Sequence, residues 1–224
     1  MIILQAGALF AEKGLHGVTT KDIAKACGVS EPVLYQHFVT KESLYNELHT
    51  LCKGDTATTK KALARREAST ETLCFFVYLV TSIVTIHKLL GEEELSQDSL
   101  NIVRLMGFSF LEDGRFVQTV LKDCIGSLFD DWQKNYKAAL KSGDLEVKSA
   151  DARDLWVAYE LMVGASLFHI TGPKLLPQLH ADESVLLERT ALFILRGLGV
   201  KESAIKKHFD PKAWTAEIQA LLHS

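Results

Sequence analysis

The sequence predicts an all-α protein, with a three-helix N-terminal domain over residues 1–48 and a larger helical domain over residues 49–224. Three observations carry this. Fourteen glycines and four prolines in 224 residues leave long stretches free of helix breakers. β-Branched residues do not alternate with polar ones, as half-buried strands would require. The stretch from Thr19 to Lys41, TTKDIAKACGVSEPVLYQHFVTK, reads as two short helices joined by a tight turn.

In order along the chain, a first helix is expected from Ile2 to Lys13, with Ile2, Ala6, Leu9 and Phe10 as its inner stripe. Gly14 and Gly17 mark its stop and the following turn. Thr19 or Thr20 caps the second helix and Asp22 adds a negative charge to its first turn. Ile23, Ala24 and Cys27 form its apolar face, and Gly28 ends it in a left-handed conformation. Val29 plugs the angle between the helices. Ser30 caps the third helix, and Pro32 sits in its first turn, where a missing N–H costs nothing. Leu34 and Phe38, four apart, point inward, leaving Glu31, Pro32, Val33, Tyr35, Gln36 and His37 to the surface. A short helix with a pinned inner face and a varied outer end is what reading a DNA major groove requires. The stretch is a helix-turn-helix.

Thr40 caps a fourth helix carrying Leu44, Leu48 and Leu51. Residues 54–69 are polar and mixed and read as that helix's end and a connection. A long helix apolar nearly all round follows from Glu71 to about Leu90, expected at the centre of the second domain. Gly91 to Asp98 is an acidic break, Ser99 to Leu111 a further apolar helix, and Gly114 separates it from a long one reaching Lys141. Asp151 to Ile170 carries Leu155, Tyr159, Met162 and Ser166 on one face; its small residues Gly164 to Ser166 suit close approach of another helix. Gly172, Pro173 and Pro177 mark a loop. Glu183 to Leu198 aligns Leu186, Thr190, Phe193 and Gly197, and Asp210-Pro211 starts a last helix with Trp214, Ile218 and Leu222 in line.

Composition narrows the function. The net charge is −3, and within residues 1–53 five lysines balance five carboxylates, so bulk charge does not advertise a polyanion partner. Four scattered cysteines form no C-x-x-C pair and read as reduced, packed thiols. The apolar run from Leu73 to Ile86 is too short for a membrane span, which needs about 20 residues. The N-terminus lacks a secretory pattern, so a cytoplasmic protein without membrane partners is expected. Eight histidines show no metal-ligand spacing and no nucleophile motif appears, so no metal, cofactor or catalytic residue is assigned.

Ala6, Leu9, Phe10, Gly14, Thr19, Thr20, Ile23, Ala24, Gly28, Val29, Ser30, Leu34, Tyr35, His37, Phe38, Lys41, Glu42 and Leu44 stand in an order and spacing that resembles the TetR-like family of one-component transcriptional regulators. The resemblance implies DNA contacts from Thr19, Thr20, Ser30, Glu31, Pro32, Val33, Tyr35, Gln36, His37 and Lys41. Lys41 suits phosphate, because a point charge on a flexible stem carries little sequence information. Glu31 either accepts from a cytosine amino group or caps its own helix; Val33 meets a thymine methyl or packs.

The resemblance further implies that residues 49–224 bind an effector and dimerise. The function would then be a transcriptional regulator, a homodimer on a palindromic double-stranded operator, released as a repressor by a small molecule. Candidate ligand residues are Phe75, Tyr78, Ser82, His87, Met106, Phe110, Trp132, Tyr159 and Met162; side chains of these types more often fill a core, and pockets between helices are built from the same types. Thr81, Ser82, Thr85, His87 and Tyr159 offer neutral polar handles and few charges, so the expected ligand is mainly apolar. The alternatives are a DNA-binding regulator controlled by a protein partner, and a helical small-molecule-binding or catalytic protein without DNA binding.

Overall fold

The computed structural model describes residues 1–85, 97–171 and 183–222. His87, residues 91–96 of the acidic break and the proline loop at 172–182 lie outside the described residues, as do the side chains of Thr85 and Ser166, while Gln97 and Asp98 open a helix. The described residues are helical, with one isolated antiparallel bridge between Leu145 and Val200. They form two compact units.

The first unit is Met1–Gly54 together with Ser96–Ser127, a different division from a cut after residue 48. It contains α1 (Ile2–Lys13), α2 (Thr20–Cys27), α3 (Glu31–His37), α4 (Lys41–Glu47) and a 3-10 turn (Leu48–Cys52). The chain returns to it with α7 (Gln97–Leu111), α8 (Arg115–Val120) and a π-helical turn (Leu121–Ile125). The reason for the return is the core. Phe10 of α1 meets Tyr45 of α4 edge to face at 5.2 Å, and Tyr45 meets Phe116 of α8 at 5.6 Å. Leu105, Phe116 and Val120 are buried in one cluster with Ala6, Ile23, Leu34 and Leu48. Three short helices bury too little apolar surface by themselves, at about 25 cal/mol per Å². Gly14 allows α1 to meet α7: a Cβ there would stand 2.8 Å from Glu112 Oε1 and 3.4 Å from Phe108, on a backbone with φ +70°.

The second unit is Asp55–Leu95 and Leu128–Ser224. It holds α6 (Thr70–Thr85), which contacts α10 (Ala152–Thr171), α11 (Glu183–Gly197), α12 (Glu202–His208) and α13 (Pro211–Leu222), so α6 is central as its all-round apolar pattern predicts. Leu73 through Val80 are all buried. α9 (Gly126–Lys141) adds Trp132, whose ring stacks on Phe76 at 5.1 Å, and Trp214 of α13 meets Phe75 edge-on at 5.7 Å. Asp210 Oδ1 accepts from Ala213 N at 3.1 Å, capping α13 as Asp-Pro predicts.

Two expectations need correction, and one helix lies where none was expected. Residues 53–63 are a helix, α5 (Lys53–Leu63), and not a connection. The helix expected to run unbroken after Gly114 is interrupted by the π turn. α12, between α11 and α13, carried too short a stripe to stand out, yet Ala204 and Ile205 are buried.

Candidate nucleic-acid interface

The reading helix is placed by its flanks. Thr19 Oγ1 accepts from Asp22 N at 3.1 Å, while the Asp22 carboxylate accepts from Thr19 N at 3.0 Å: a capping box that starts α2. The Thr19 hydroxyl, and then its backbone N–H, hold the Asp22 carboxyl below the usual carboxylate range. Gly28 ends α2 at φ +67°, ψ 27°, a left-handed turn that a side chain would strain, and its N–H bonds back to Lys25 O. α3 begins at once, with Pro32 in the first turn. Ser30 occupies the N-cap position in extended backbone, but its side chain makes no capping bond, so the expected cap is positional only. The residue is exposed.

Leu34 is buried and Phe38 packs against the core cluster, while Ser30, Pro32, Tyr35, Gln36 and His37 are exposed and Glu31 and Val33 half-buried. Glu31 makes an intramolecular bond that neither expectation includes. Its Oε2 accepts from Thr20 Oγ1 at 2.8 Å, tying the start of α3 to the start of α2, and Tyr35 OH points to the same Thr20 oxygen at 3.5 Å. The second carboxylate oxygen stays available as an acceptor.

Lys41 is bound more tightly than a phosphate contact would need. Its Nζ donates to Leu15 O and Val18 O, each at 2.8 Å, and the side chain is half-buried. These carbonyls belong to the turn between α1 and α2, so the ammonium braces that turn against the start of α4. One of its three protons is left for another acceptor. Sequence reasoning missed the brace because backbone carbonyls carry no residue signature.

In the first unit an open cleft of about 300 Å³ is lined by Asn46, Arg115, Gln118, Thr119, Lys122 and Asp123, none of them a sequence candidate. At its edge His49 Nε2 stands 3.2 Å from Asp123, and His49 Nδ1 is 2.6 Å from Asn46 O.

The ligand candidates divide between the units. Met106 packs against the core of the first, and Phe110 of the same unit is 54% exposed. In the second, Phe75, Tyr78, Ser82, Trp132, Tyr159 and Met162 are all buried. Phe75 and Tyr78 share Trp214, and the Arg66 guanidinium lies 3.8 Å over the Phe75 ring. Of the expected handles Thr81 and Ser82 are engaged, and so is the ligand candidate Tyr78. Thr81 Oγ1 donates to Val77 O at 2.6 Å and Ser82 Oγ to Leu79 O at 2.7 Å, both on their own helix, and Tyr78 OH pairs with Thr215 Oγ1 at 2.7 Å. Burial pushes the Cys74 thiol up to about 12, so it is an inert packed group. Among the described residues no group of three or more His, Cys, Asp or Glu could hold a metal ion, and no helix is long and apolar enough to cross a membrane.

Residues 2–48, which carry this helix-turn-helix, match the family described as bacterial regulatory proteins, tetR family. Over these residues the chain is TetR-like. It is 35% identical over 95 residues to the HTH-type transcriptional regulator UidR of Escherichia coli K12, a match over 42% of this chain and 45% of that protein. The TetR-like chain thus covers less than half the length of the curated relatives it matches. Its fold is shared by the TetR family transcriptional regulator PfmR from Thermus thermophilus, with a TM-score of 0.57 at 20% identity over 88% of this chain and 98% of that one. It is shared equally by FadR from Bacillus subtilis in complex with stearoyl-CoA, with a TM-score of 0.57 at 18% identity and the same coverages. These proteins are named as transcriptional regulators.

Proposed function

We propose that this TetR-like chain is a cytoplasmic transcriptional regulator that binds a palindromic double-stranded DNA operator as a homodimer and leaves it when a mainly apolar small molecule binds. The observation that carries the reading is the outer face of α3. Ser30, Pro32, Tyr35, Gln36 and His37 are open to solvent on a helix whose inner Leu34 is buried and whose first turn is tied to α2 through Thr20 and Glu31. Such a surface presents hydroxyl, amide and imidazole groups to base edges and phosphates at fixed positions. A dimer reads two half-sites when its heads match a helical turn, roughly 34–36 Å, and a ligand that favours another spacing weakens binding.

Dimerisation is assigned to α10 and α11. Trp156, Val157 and Leu161 on α10 and Val185 and Phe193 on α11 are exposed large apolar side chains, Phe193 at 67%. The line Leu186, Thr190, Phe193 and Gly197 is the outer face of α11, since Leu187, Ala191, Ile194, Leu195 and Leu198 face the core. A self-complementary two-fold contact of such faces suits a palindrome.

The apolar character of the effector follows from the interior of the second unit. Arg66, the cation beside its aromatic cluster, is already engaged by Glu71 at 3.4 Å and Glu217 at 2.5 Å. A multiply charged ligand would need free cations or a helix N-terminus there.

Selection of bound fragments from random duplexes by the purified protein, followed by salt titration, tests the reading. The expected result is an inverted repeat bound with affinity that falls steeply as salt rises. Equal binding to all duplexes at moderate salt refutes it.

A further inference from the structure

Two buried polar atoms among the described residues of the second unit are left over. Buried polar side chains there are otherwise provided for. Thr70 donates to Asp144 at 2.5 Å, Thr72 to Glu67 O at 2.6 Å, and Asn135 accepts from Ser69 N at 3.2 Å and donates to Asp131 O at 2.8 Å. Trp132 differs. Its side chain is 1% exposed, and its indole Nε1 has no hydrogen-bonding partner among the described residues. Arg66 Nε shares that condition, but the rest of its guanidinium is held by two carboxylates. An indole has no other polar atom to compensate. Its ring is also fixed in place, stacked on Phe76 at 5.1 Å and 23° and met edge-on by Phe129 at 6.5 Å and 80°. A buried unsatisfied donor is uncommon enough in folded proteins to call for a reason.

We propose that Trp132 is the hydrogen-bond donor of the effector site, and that the effector is a flat, mainly apolar molecule carrying one neutral acceptor such as a ketone or ester carbonyl. This rests on the reading of the second unit as the effector-binding part. The hydroxyls of Tyr78, Thr81 and Ser82 are already satisfied, so a ligand group seeking those partners would have to break a bond. An acceptor placed at Trp132 gains a bond to a donor that folding has already stripped of water. The flanking rings favour a planar partner. A full carboxylate is disfavoured, since one N–H cannot replace its hydration.

The test uses the full-length protein labelled with ¹⁵N, in which three tryptophans give three indole cross-peaks. Trp156→Phe and Trp214→Phe assign the Trp132 peak by elimination, without altering Trp132. The probes are acetophenone and its hydrocarbon isostere α-methylstyrene, which differ only in carrying C=O or C=CH₂. Acetophenone is expected to move the Trp132 peak downfield and to bind about tenfold tighter than α-methylstyrene, the worth of one such bond. In Trp132→Phe the preference should vanish while both probes still bind. Equal affinities, or a Trp132 peak that acetophenone does not move, would overturn the acceptor rule yet leave an apolar effector site standing. No binding of either probe at millimolar concentration would overturn the site itself. Operator binding is measured separately, so neither failure touches the DNA-binding reading.

Discussion

α3 and the second half of α6 are held in opposite ways. α3 is tied from outside its own helix: Thr20 of α2 bonds Glu31, and Lys41 of α4 reaches carbonyls of the turn that precedes α2. From Leu79 to Ser82, α6 turns its hydroxyls back on itself, through Thr81 and Ser82, while one turn earlier Tyr78 bonds Thr215 of α13 and Phe76 stacks on Trp132. Directional bonds between elements fix geometry to a few tenths of an ångström, which a surface that reads base edges requires. Apolar contacts are non-directional and tolerate repacking, which an interior that admits a ligand requires. Both regions carry hydroxyl side chains; what separates them is where their bonds go.

The largest expected effect tests whether the head needs its second segment. Phe116→Ala removes a ring that is 0% exposed and touches Tyr45, and should cost about 3–5 kcal/mol. Hydrogen exchange should then rise across α1–α4; protection unchanged there would mean that residues 97–127 do not complete this core. Next comes Phe193→Asp. Because the side chain is 67% exposed, helix content should hold while light scattering reports monomers; a variant that stays dimeric places the interface on another face.

Lys41 separates bracing from phosphate binding. Lys41→Met should lower the stability of the head by about 1.5–3 kcal/mol in urea unfolding, the scale of charge-assisted bonds. A pure phosphate contact predicts unchanged stability and a salt slope smaller by about one. Thr20→Val removes the Glu31 tie and should cost about 1 kcal/mol. Glu31→Gln keeps an acceptor for Thr20, so its effect should fall on base preference among selected duplexes and hardly on stability.

The smallest effect is in pH. The folded Asp22 carboxyl lies below its unfolded range, so the capping box contributes above the unfolded pKa, about 3.9, and fades as pH falls through the lowered folded value. Asp22→Asn should flatten that acid limb slightly. An acid limb identical to that of the unaltered chain would show that the exposed box adds nothing.

Much of the head was legible in the sequence because its signals are local. Thr19 and Asp22 lie three apart, Gly28 ends the helix by conformation, and Leu34 is set by helical spacing. What stayed hidden depends on distance along the chain. Lys41 meets partners 26 and 23 residues away that are carbonyls, identical in every residue, and Glu31 finds Thr20 eleven residues back. α5 was read as a connection because its threonines and lysines form no apolar stripe. The π turn leaves no breaker, since it adds a residue to a turn without glycine or proline inside it. In the second unit the apolar candidates were legible as residue types, but a side chain that lines a pocket and one that fills a core are the same letters. The bonds of Thr81 and Ser82 had to be seen.

The split composition of the head also sets an order in time. During synthesis, residues 1–54 leave the ribosome long before Leu105, Phe116 and Val120, which share their core. At about 5–20 residues per second, the nascent helix-turn-helix waits several seconds with Phe10 and Tyr45 uncovered. Two things follow for anyone handling the molecule. A fragment ending near residue 54 carries the reading surface without the side chains that seal its underside. And in the growing chain, the helix-turn-helix unit becomes a finished object only once synthesis has passed Val120.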